Sequence, residues 1–195
     1  MVKHNPKWLS ESEQDAVLEK IPDIHKPMVR FLFYQGARIG EGRALKWDCV
    51  HLDQGIVNLR RTYSGDRLKD RTKGKKDRLI PLHETVVDDM RRIPRSMQHD
   101  FVYHWHGRPY KRSTLHRIMR AALDEAGFHD VVPHDAGRHS FASQALLRGA
   151  STREVQEMLG HADIRTTENY THVLTERLRR TMRSGHQVVT RRGTG

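Results

Sequence analysis

The chain has 195 residues, of which 36% are hydrophobic, and its mean hydropathy is −0.78. This length suits one globular domain with its own core, and no apolar run approaches the ~20 residues that a membrane-spanning helix needs. The net charge of +11 indicates a protein that binds a polyanion. The single cysteine, Cys49, excludes an internal disulfide and fits a reducing, cytoplasmic setting, and we expect it to be a small buried side chain.

Two helices are predicted first along the chain. Ser10, followed three residues later by Glu13, forms a capping-box pattern that predicts the start of a helix in "LSESEQDAVLEKI". Apolar residues at helical spacing in "IHKPMVRFLFYQGAR" predict a second helix, which lies in the core. The glycines at positions 36, 40 and 42 then break the helical pattern, which is expected to leave Arg38 on a turn.

Strands are predicted next. The runs "CVHL", "IVNLR" and "RLIPL", within residues 49–60 and 78–82, predict a three-stranded antiparallel sheet. The stretch "SGDRLKDRTKGKKD" between them is predicted to be a long basic excursion that leads into the third strand.

Helices dominate the remaining sequence. Residues 83–93 predict a helix ended by Pro94, and "DFVYHW" predicts a short strand. In "STLHRIMRAALDEAG", Ser113 is expected to cap a helix that Gly127 ends. Four short helices follow, in "SFASQALLRG", "TREVQEMLG", "DIRTTENY" and "TERLRRTMRSG", and residues 184–195 are expected to form a mobile tail. The predicted fold is a mainly helical α+β domain.

Common cofactor motifs do not account for this chain. It has fourteen histidines but no His-Glu-x-x-His pattern, and one cysteine excludes the usual zinc finger. The segment "GKKDR" resembles part of a phosphate loop but lacks its Ser/Thr and the following helix. We therefore expect neither a metal nor a cofactor.

Six polar residues remain as candidates for chemistry, although each has an ordinary structural explanation when taken alone. They are Arg38, Lys73, His134, Arg138, His161 and Tyr170. In this order, within "GARIGEGRALKWDCV", "TKGKKDRLIPL" and "HDAGRHSFASQALLRGASTREVQEMLGHADIRTTENYTHV", they resemble the catalytic domain of the tyrosine recombinase (phage integrase) family. The resemblance covers nearly the whole chain, and its last stretch is very specific.

The resemblance implies a site-specific DNA recombinase. Tyr170 would attack a DNA phosphodiester, giving a 3′-phosphotyrosyl link and a free 5′-hydroxyl without ATP or metal. Arg38 and Arg138 would stabilise the extra negative charge on the non-bridging oxygens, because guanidinium groups are planar and always charged. Lys73 would protonate the leaving 5′-oxygen, and His161 would hydrogen-bond a non-bridging oxygen.

One position departs from the family pattern, in which the second box reads His-x-x-Arg. Here His134 precedes Arg138 by four residues, so either "DAG" contains an extra residue or Asp135 has replaced the histidine. We favour His134, with Asp135 as a candidate helix N-cap; otherwise Asp135 would supply any general base. Glu41 matches an acidic position that would orient the first arginine or the second-box histidine.

The resemblance also implies partners and domain organisation. Double-stranded DNA is the expected partner, and no membrane is expected. The basic residues expected to contact the DNA are Arg60, Arg61, Arg71, Lys75, Lys76 and Arg165. Residues 1–183 would form the catalytic domain, without the family's usual N-terminal core-binding domain, in a cytoplasmic protein of bacterial or phage origin. The full-length protein would act as a homotetramer on DNA, whereas the isolated domain would be monomeric.

Three other functions remain open. A type IB topoisomerase shares this chemistry, although the bacterial-style "LGHADIRTTENYTHV" favours a recombinase. A non-catalytic DNA-binding relative of the family would explain the spacing in "HDAGRH". A plain RNA- or polyanion-binding domain would explain the charge but not the set of candidate residues.

Overall fold

The computed structural model of the chain describes residues 7–70 and 78–160, in which helices predominate. The helices are α1 (Glu11–Glu19), α2 (Lys26–Tyr34), α3 (Ile39–Arg43), α4 (Glu84–Arg92), α5 (Arg112–Glu125), α6 (Ser140–Arg148) and α7 (Thr152–Leu159). The strands are β1 (Val50–His51), β2 (Ile56–Leu59), β3 (Arg61–Ser64), β4 (Arg67–Asp70) and β5 (Arg78–Pro81). A 3-10 turn (Trp47–Cys49) precedes β1, and a π-helical turn (Asp135–His139, here the π turn) precedes α6. The fold is the mainly helical α+β domain that the sequence predicts.

The predicted three-stranded sheet is confirmed. Its strands run antiparallel in the order β1-β2-β5, with Val57 opposite both Val50 and Ile80. Successive side chains of a strand point to opposite faces, so Arg78 lies on the same face of β5 as the buried Ile80. Cys49 is buried as expected, although it lies in the 3-10 turn rather than in a strand.

A second sheet includes the described part of the predicted basic excursion, up to Asp70. Strands β3 and β4 pair as an antiparallel hairpin, and Gly65, with a φ of 61°, stands first in its two-residue turn. All four residues of β4 are exposed, so no apolar alternation marks this strand in the sequence. The guanidinium of Arg43 in α3 donates to the carbonyl of Gly65 (2.9 Å), which fixes the hairpin against the helical body.

Helix α2 lies at the centre of the hydrophobic core. It contacts α1, α3, α4, α6 and the π turn. Its buried residues are Met28, Val29, Phe31, Leu32 and Phe33. Side chains on several sides of this helix are therefore covered, as is typical of a helix inside a domain.

Helices α6 and α7 form a smaller apolar cluster. Val155 and Leu159 of α7 pack with Ala142, Ala145 and Leu146 of α6. Glycines end both helices in the left-handed conformation, with φ values of 112° after α6 and 63° after α7. This packing positions the end of α7 beside the π turn.

Two local predictions are wrong. Ser113 lies inside the first turn of α5, whose N-cap is Lys111 without a side-chain cap. The stretch "DFVYHW" forms isolated bridges, Phe101 with Lys46 and Trp105 with Arg108, and no strand. The bridge between Lys46 and Phe101 joins distant parts of the sequence, so a local pattern does not reveal it.

No helix within the described residues is both long enough and apolar enough to cross a membrane. The predicted helices in "DIRTTENY" and "TERLRRTMRSG", and the predicted tail, lie outside the described residues.

The cap of α7 offers a test of this helix assignment. Ser151 Oγ accepts from the backbone N–H of Glu154 (3.2 Å), and Glu154 Oε2 accepts from the N–H of Ser151 (2.6 Å). We expect Ser151→Ala to lower the free energy of unfolding, measured by urea denaturation, by about 1 kcal/mol. The matched control, Ser113→Ala, removes an exposed hydroxyl that does not cap α5, and it should change this free energy by less than about 0.5 kcal/mol. Equal losses in the two variants would contradict the assignment of the caps.

Candidate active site

Arg38 stands at the N-terminus of α3, directly after the turn that follows α2. Its backbone N–H donates to Glu41 Oε2 (2.9 Å), and its Nη1 donates to Glu41 Oε1 (3.0 Å). The three-residue spacing seen in the sequence is therefore that of a helix N-cap and the third helical residue. The Arg38 side chain remains 40% exposed, so its guanidinium is held by Glu41 and also accessible from solvent.

Glu41 is buried between two arginines. Its side chain is 1% exposed, and its Oε2 also accepts from Arg78 Nη2 (2.7 Å), whose side chain is 5% exposed. Burial by itself raises the pKa of Glu41, but the charge of Arg78 and the N–H and charge of Arg38 outweigh it. The pKa therefore lies below its ordinary value, and the carboxylate is charged at neutral pH.

Arg138 projects from the π turn into the protein interior. Its Nη1 donates to the carbonyl oxygen of Gly36 (2.8 Å), and its Nη2 donates to that of Leu159 (2.5 Å). The residue is buried. Arg138 thereby ties the turn before Arg38 to the last residue of α7.

The two predicted arginines meet at the end of α7. Arg38 Nη2 donates to the carbonyl oxygen of Gly160 (3.3 Å), whereas Arg138 donates to that of Leu159. These two carbonyls belong to consecutive residues. The carbonyl end of a helix carries partial negative charge, which attracts guanidinium groups. Glycine is favoured at position 160, because its φ is positive and a Cβ would lie 2.9 Å from Arg78 Nη1.

The second-box residues lie together at the start of the π turn. His134 Nδ1 is 3.1 Å from Asp135 Oδ1, and His139 Nε2 is 3.4 Å from the same oxygen. His134 is exposed, whereas Asp135 and His139 are mostly covered. The prediction that Asp135 is a helix N-cap is wrong. The N-cap residue of the π turn is His134, and its side chain does not cap the turn.

A metal ion is not assigned to this group. In the part of the chain that the structure describes, it is the only set of three His, Cys, Asp or Glu side chains with donor atoms within 4.8 Å of one another. The positive charge of Arg138 acts on His139, and such a charge opposes a divalent cation.

The predicted DNA contacts Arg60 and Arg61 are engaged with acidic side chains. Asp48 Oδ2 accepts from Arg60 Nη2 (2.5 Å) and Arg61 Nη2 (2.8 Å), and Arg61 Nε donates to Asp70 (3.1 Å). The hydrogen bond from Arg61 is the main reason why the pKa of Asp48 lies far below its ordinary value. These arginines therefore present less net charge than their sequence suggests.

Seven other predicted site residues lie outside the described residues. They are Arg71, Lys73, Lys75, Lys76, His161, Arg165 and Tyr170. His161 directly follows Gly160 in the sequence, at the point where the two arginines contact the backbone.

A basic cleft between α5 and the β3–β4 turn is missing from the sequence-based prediction. Its volume is about 720 Å³, and its basic lining residues are Lys111, Arg112, His116, Arg117 and Arg120. Arg120 is engaged with Asp124 and with two backbone carbonyls, whereas Arg117 is exposed. The spacing of basic residues along "KRSTLHRIMR" could have indicated a basic helical face. Arg78 of β5 is likewise missing from the sequence-based prediction, because Leu79 and Ile80 are both apolar and the sequence does not show which face of the strand is buried.

Comparison of the chain with known proteins identifies its family. Residues 7–177 match the phage integrase family. The chain belongs to the phage integrase family. Its members in the following comparisons are tyrosine recombinases and integrases.

Tyrosine recombinase XerD of Lacticaseibacillus casei is 34% identical over 194 residues, which cover 90% of this chain and 61% of XerD. The crystal structure of XerA recombinase superposes with a TM-score of 0.74 and has 29% sequence identity, over 95% of this chain and 65% of XerA. The Tn1549 transposon integrase, in complex with transposon right end DNA, is 17% identical with a TM-score of 0.74, over 91% of this chain and 65% of the integrase. This family member thus spans less than two thirds of the length of each of these proteins.

The buried Glu41 carboxylate is expected to be important for stability. In Glu41→Gln, Arg78 loses its charged partner in a buried site, so the free energy of unfolding should fall by about 3–5 kcal/mol in chemical denaturation. Because the pKa of Glu41 is lowered in the fold, the wild-type advantage should be complete above its ordinary pKa of 4.5 and should shrink as the pH falls through the folded value.

Asp66→Asn is the matched control. Asp66 is 95% exposed and lies 3.4 Å from Arg43, so its loss should change stability by less than about 1 kcal/mol. A difference between wild type and Glu41→Gln that stays constant into the acid range would contradict the role of the Glu41 charge.

Proposed function

We propose that this chain carries the catalytic site of a site-specific DNA recombinase, with Tyr170 as the nucleophile. The observation that carries the proposal is the meeting of Arg38 and Arg138 at the end of α7. Tyr170 follows that end, at Gly160, by ten positions in the sequence. Membership of the phage integrase family, and the likeness to XerD and XerA, support the same function.

The proposed reaction is a reversible phosphoryl transfer. The Tyr170 oxygen attacks phosphorus, the bond to the 5′-oxygen breaks, and a 3′-phosphotyrosyl link forms. The tyrosine proton passes to a base, for which His134 is the favoured candidate, and Lys73 protonates the leaving 5′-oxygen. A 5′-hydroxyl of another strand then reverses these steps, so the bond energy is retained and no ATP is consumed. His161 donates a hydrogen bond to a non-bridging oxygen.

The arginines supply the electrostatic part of this reaction. Arg38 is accessible from solvent and still anchored by Glu41, so it can contact a non-bridging oxygen without losing its orientation. Arg138 adds positive charge. It also holds the turn before Arg38 against the end of α7, since its guanidinium donates to the carbonyls of Gly36 and Leu159. A preorganised cationic site of this kind is suited to a phosphorane-like transition state.

The proposal extends to partners. The partner is double-stranded DNA, as in the complex of the Tn1549 integrase. Residues 1–183 act as the catalytic domain, and the full-length protein acts as a cytoplasmic homotetramer around two duplexes. The topoisomerase alternative predicts relaxation without joining of separate DNA molecules, and the non-catalytic alternative predicts binding without an adduct.

The adduct is the decisive observable. The protein is mixed with negatively supercoiled plasmid at low salt, without metal or ATP, and is quenched in detergent. We expect relaxed plasmid and DNA-linked protein with the wild type, and neither with Tyr170→Phe, because only the hydroxyl is lost. DNA binding should be unchanged in this variant.

Tyr63→Phe is the matched control for the loss of a tyrosine hydroxyl. It keeps the ring that Arg43 covers at 4.7 Å, and it should form the adduct like the wild type. An adduct that persists in Tyr170→Phe would contradict the assigned nucleophile. DNA binding by the wild type without relaxation or adduct would favour the non-catalytic relative.

The basic cleft beside α5 is proposed to contact the DNA backbone. Arg117→Ala should weaken binding to all duplexes similarly, and the slope of log K against log salt should fall by about 0.9, the value for one phosphate contact. Arg91→Ala is the matched control, because Arg91 is an exposed arginine of α4, outside this cleft. Equal slopes for Arg117→Ala and the wild type, measured by fluorescence anisotropy, would exclude a phosphate contact by Arg117.

A further inference from the structure

The π turn accommodates the unusual spacing of "HDAGRH". A π-helical turn contains one more residue than an α-helical turn, and such turns are frequent at functional sites. Here the N–H of Ser140 donates to the carbonyl of Asp135, five residues earlier, and α6 continues from that point. The four-residue separation of His134 and Arg138 is therefore taken up within a single turn.

Side chains from two helices support this turn. Gln14 Nε2 of α1 donates to the carbonyl of Ala136 (2.6 Å), and Ser140 Oγ of α6 donates to the carbonyl of Asp135 (2.8 Å). Gly137 faces α2, where a Cβ would lie 3.3 Å from the carbonyl oxygen of Leu32. The turn is thus a packed part of the fold, and its geometry sets the directions of its side chains.

The carboxylate of Asp135 lies between two imidazole rings. Its Oδ1 is 3.1 Å from His134 Nδ1 and 3.4 Å from His139 Nε2, and the ring centroids are 5.4 Å apart. An ionised carboxylate only accepts hydrogen bonds, so a ring nitrogen that hydrogen-bonds to it must carry a proton. The proton of a neutral His134 therefore belongs on Nδ1.

The other nitrogen of His134 is then the reactive one. Nε2 lies on the far side of the ring from Nδ1, and the side chain is 56% exposed. Burial lowers the pKa of His139, and the charges of His134 and Arg138 lower it further against the effect of Asp135. A neutral His139 can share Asp135 without placing a second cation beside His134.

We propose that Asp135 is a positioning residue that fixes His134 as its Nδ1–H tautomer and leaves Nε2 as the proton acceptor in the DNA reaction. This inference rests on the proposed function for the reaction, but the tautomer itself is a property of the protein without DNA. It also answers the question raised by the sequence, because Asp135 acts through His134 rather than in its place.

The tautomer can be measured directly. Long-range ¹H–¹⁵N correlation spectra of the ¹⁵N-labelled chain, at a pH where His134 is neutral, distinguish protonated from unprotonated ring nitrogens. We expect the Nδ1–H form for His134 in the wild type. Asp135→Ala should shift the ring toward the Nε2–H form, which free imidazole side chains prefer in water. Asp135→Asn, whose amide oxygen still accepts, should largely restore the Nδ1–H form.

His139→Ala is the matched control within the same group, because it removes the second ring but keeps Asp135. It should retain the Nδ1–H form of His134, and backbone amide spectra of each variant establish that the fold is intact. An Nε2–H form in the wild type, or an unchanged tautomer in Asp135→Ala, would overturn the proposal.

Cleavage kinetics then connect the tautomer to the reaction. Asp135→Ala should lower kcat for adduct formation by about 10-fold to 100-fold and leave KM similar. This loss lies at or below the lower end of the ~10²–10⁴-fold that general acid–base catalysis contributes, because His134 itself is retained. Asp135→Asn should recover part of that loss. An equal kcat for Asp135→Ala and the wild type would overturn the positioning role. Absence of any adduct in the wild type, with the expected tautomer present, would instead count against the proposed function.

Discussion

A single buried carboxylate, that of Glu41, makes the arginine cluster of this site possible. Arg38, Arg78 and Arg138 all act on it electrostatically, and the first two donate to its oxygens. Like charges repel strongly in a site with little water, so these guanidinium groups need a shared anion. Three cations against one anion still leave an excess of positive charge. A phosphodiester whose negative charge grows toward the transition state requires such an excess.

The end of α7 provides the second constraint on the arginines. The carbonyls of Leu159 and Gly160 accept from Arg138 and Arg38, and the partial negative charge of a helix C-terminus strengthens both contacts. The same bonds determine where the chain leaves α7. A substitution that displaces α7 would therefore alter the positions of the arginines and the starting point of the segment that carries Tyr170.

Hydrophobic periodicity was sufficient to predict α2 and the three-stranded sheet, because both bury regular apolar faces. It could not predict the β3–β4 hairpin, which has an exposed second strand and depends on Arg43 reaching the carbonyl of Gly65. Within the site, the resemblance singled out Arg38 and Arg138. The burial of Arg78 could not be predicted, because Leu79 and Ile80 put apolar residues on both faces of β5. The bond from Arg138 to Gly36 joins residues 102 positions apart, and no local pattern encodes it.

The four-residue separation of His134 and Arg138 in "HDAGRH" illustrates how tertiary contacts decide the effect of a spacing. In a regular α-helix one added residue would rotate the following side chains by about 100°, which would turn Arg138 away from its carbonyl partners. The π turn avoids this rotation, and the side chains of Gln14 and Ser140 donate to the carbonyls of Ala136 and Asp135 within it. Gln14 lies 122 positions before its partner, so the turn depends on the docking of α1. The same turn that keeps Arg138 on its carbonyl partners places the Asp135 carboxylate beside His134 Nδ1. The local helix geometry, rather than the spacing of the family pattern, therefore determines which residue contacts that histidine.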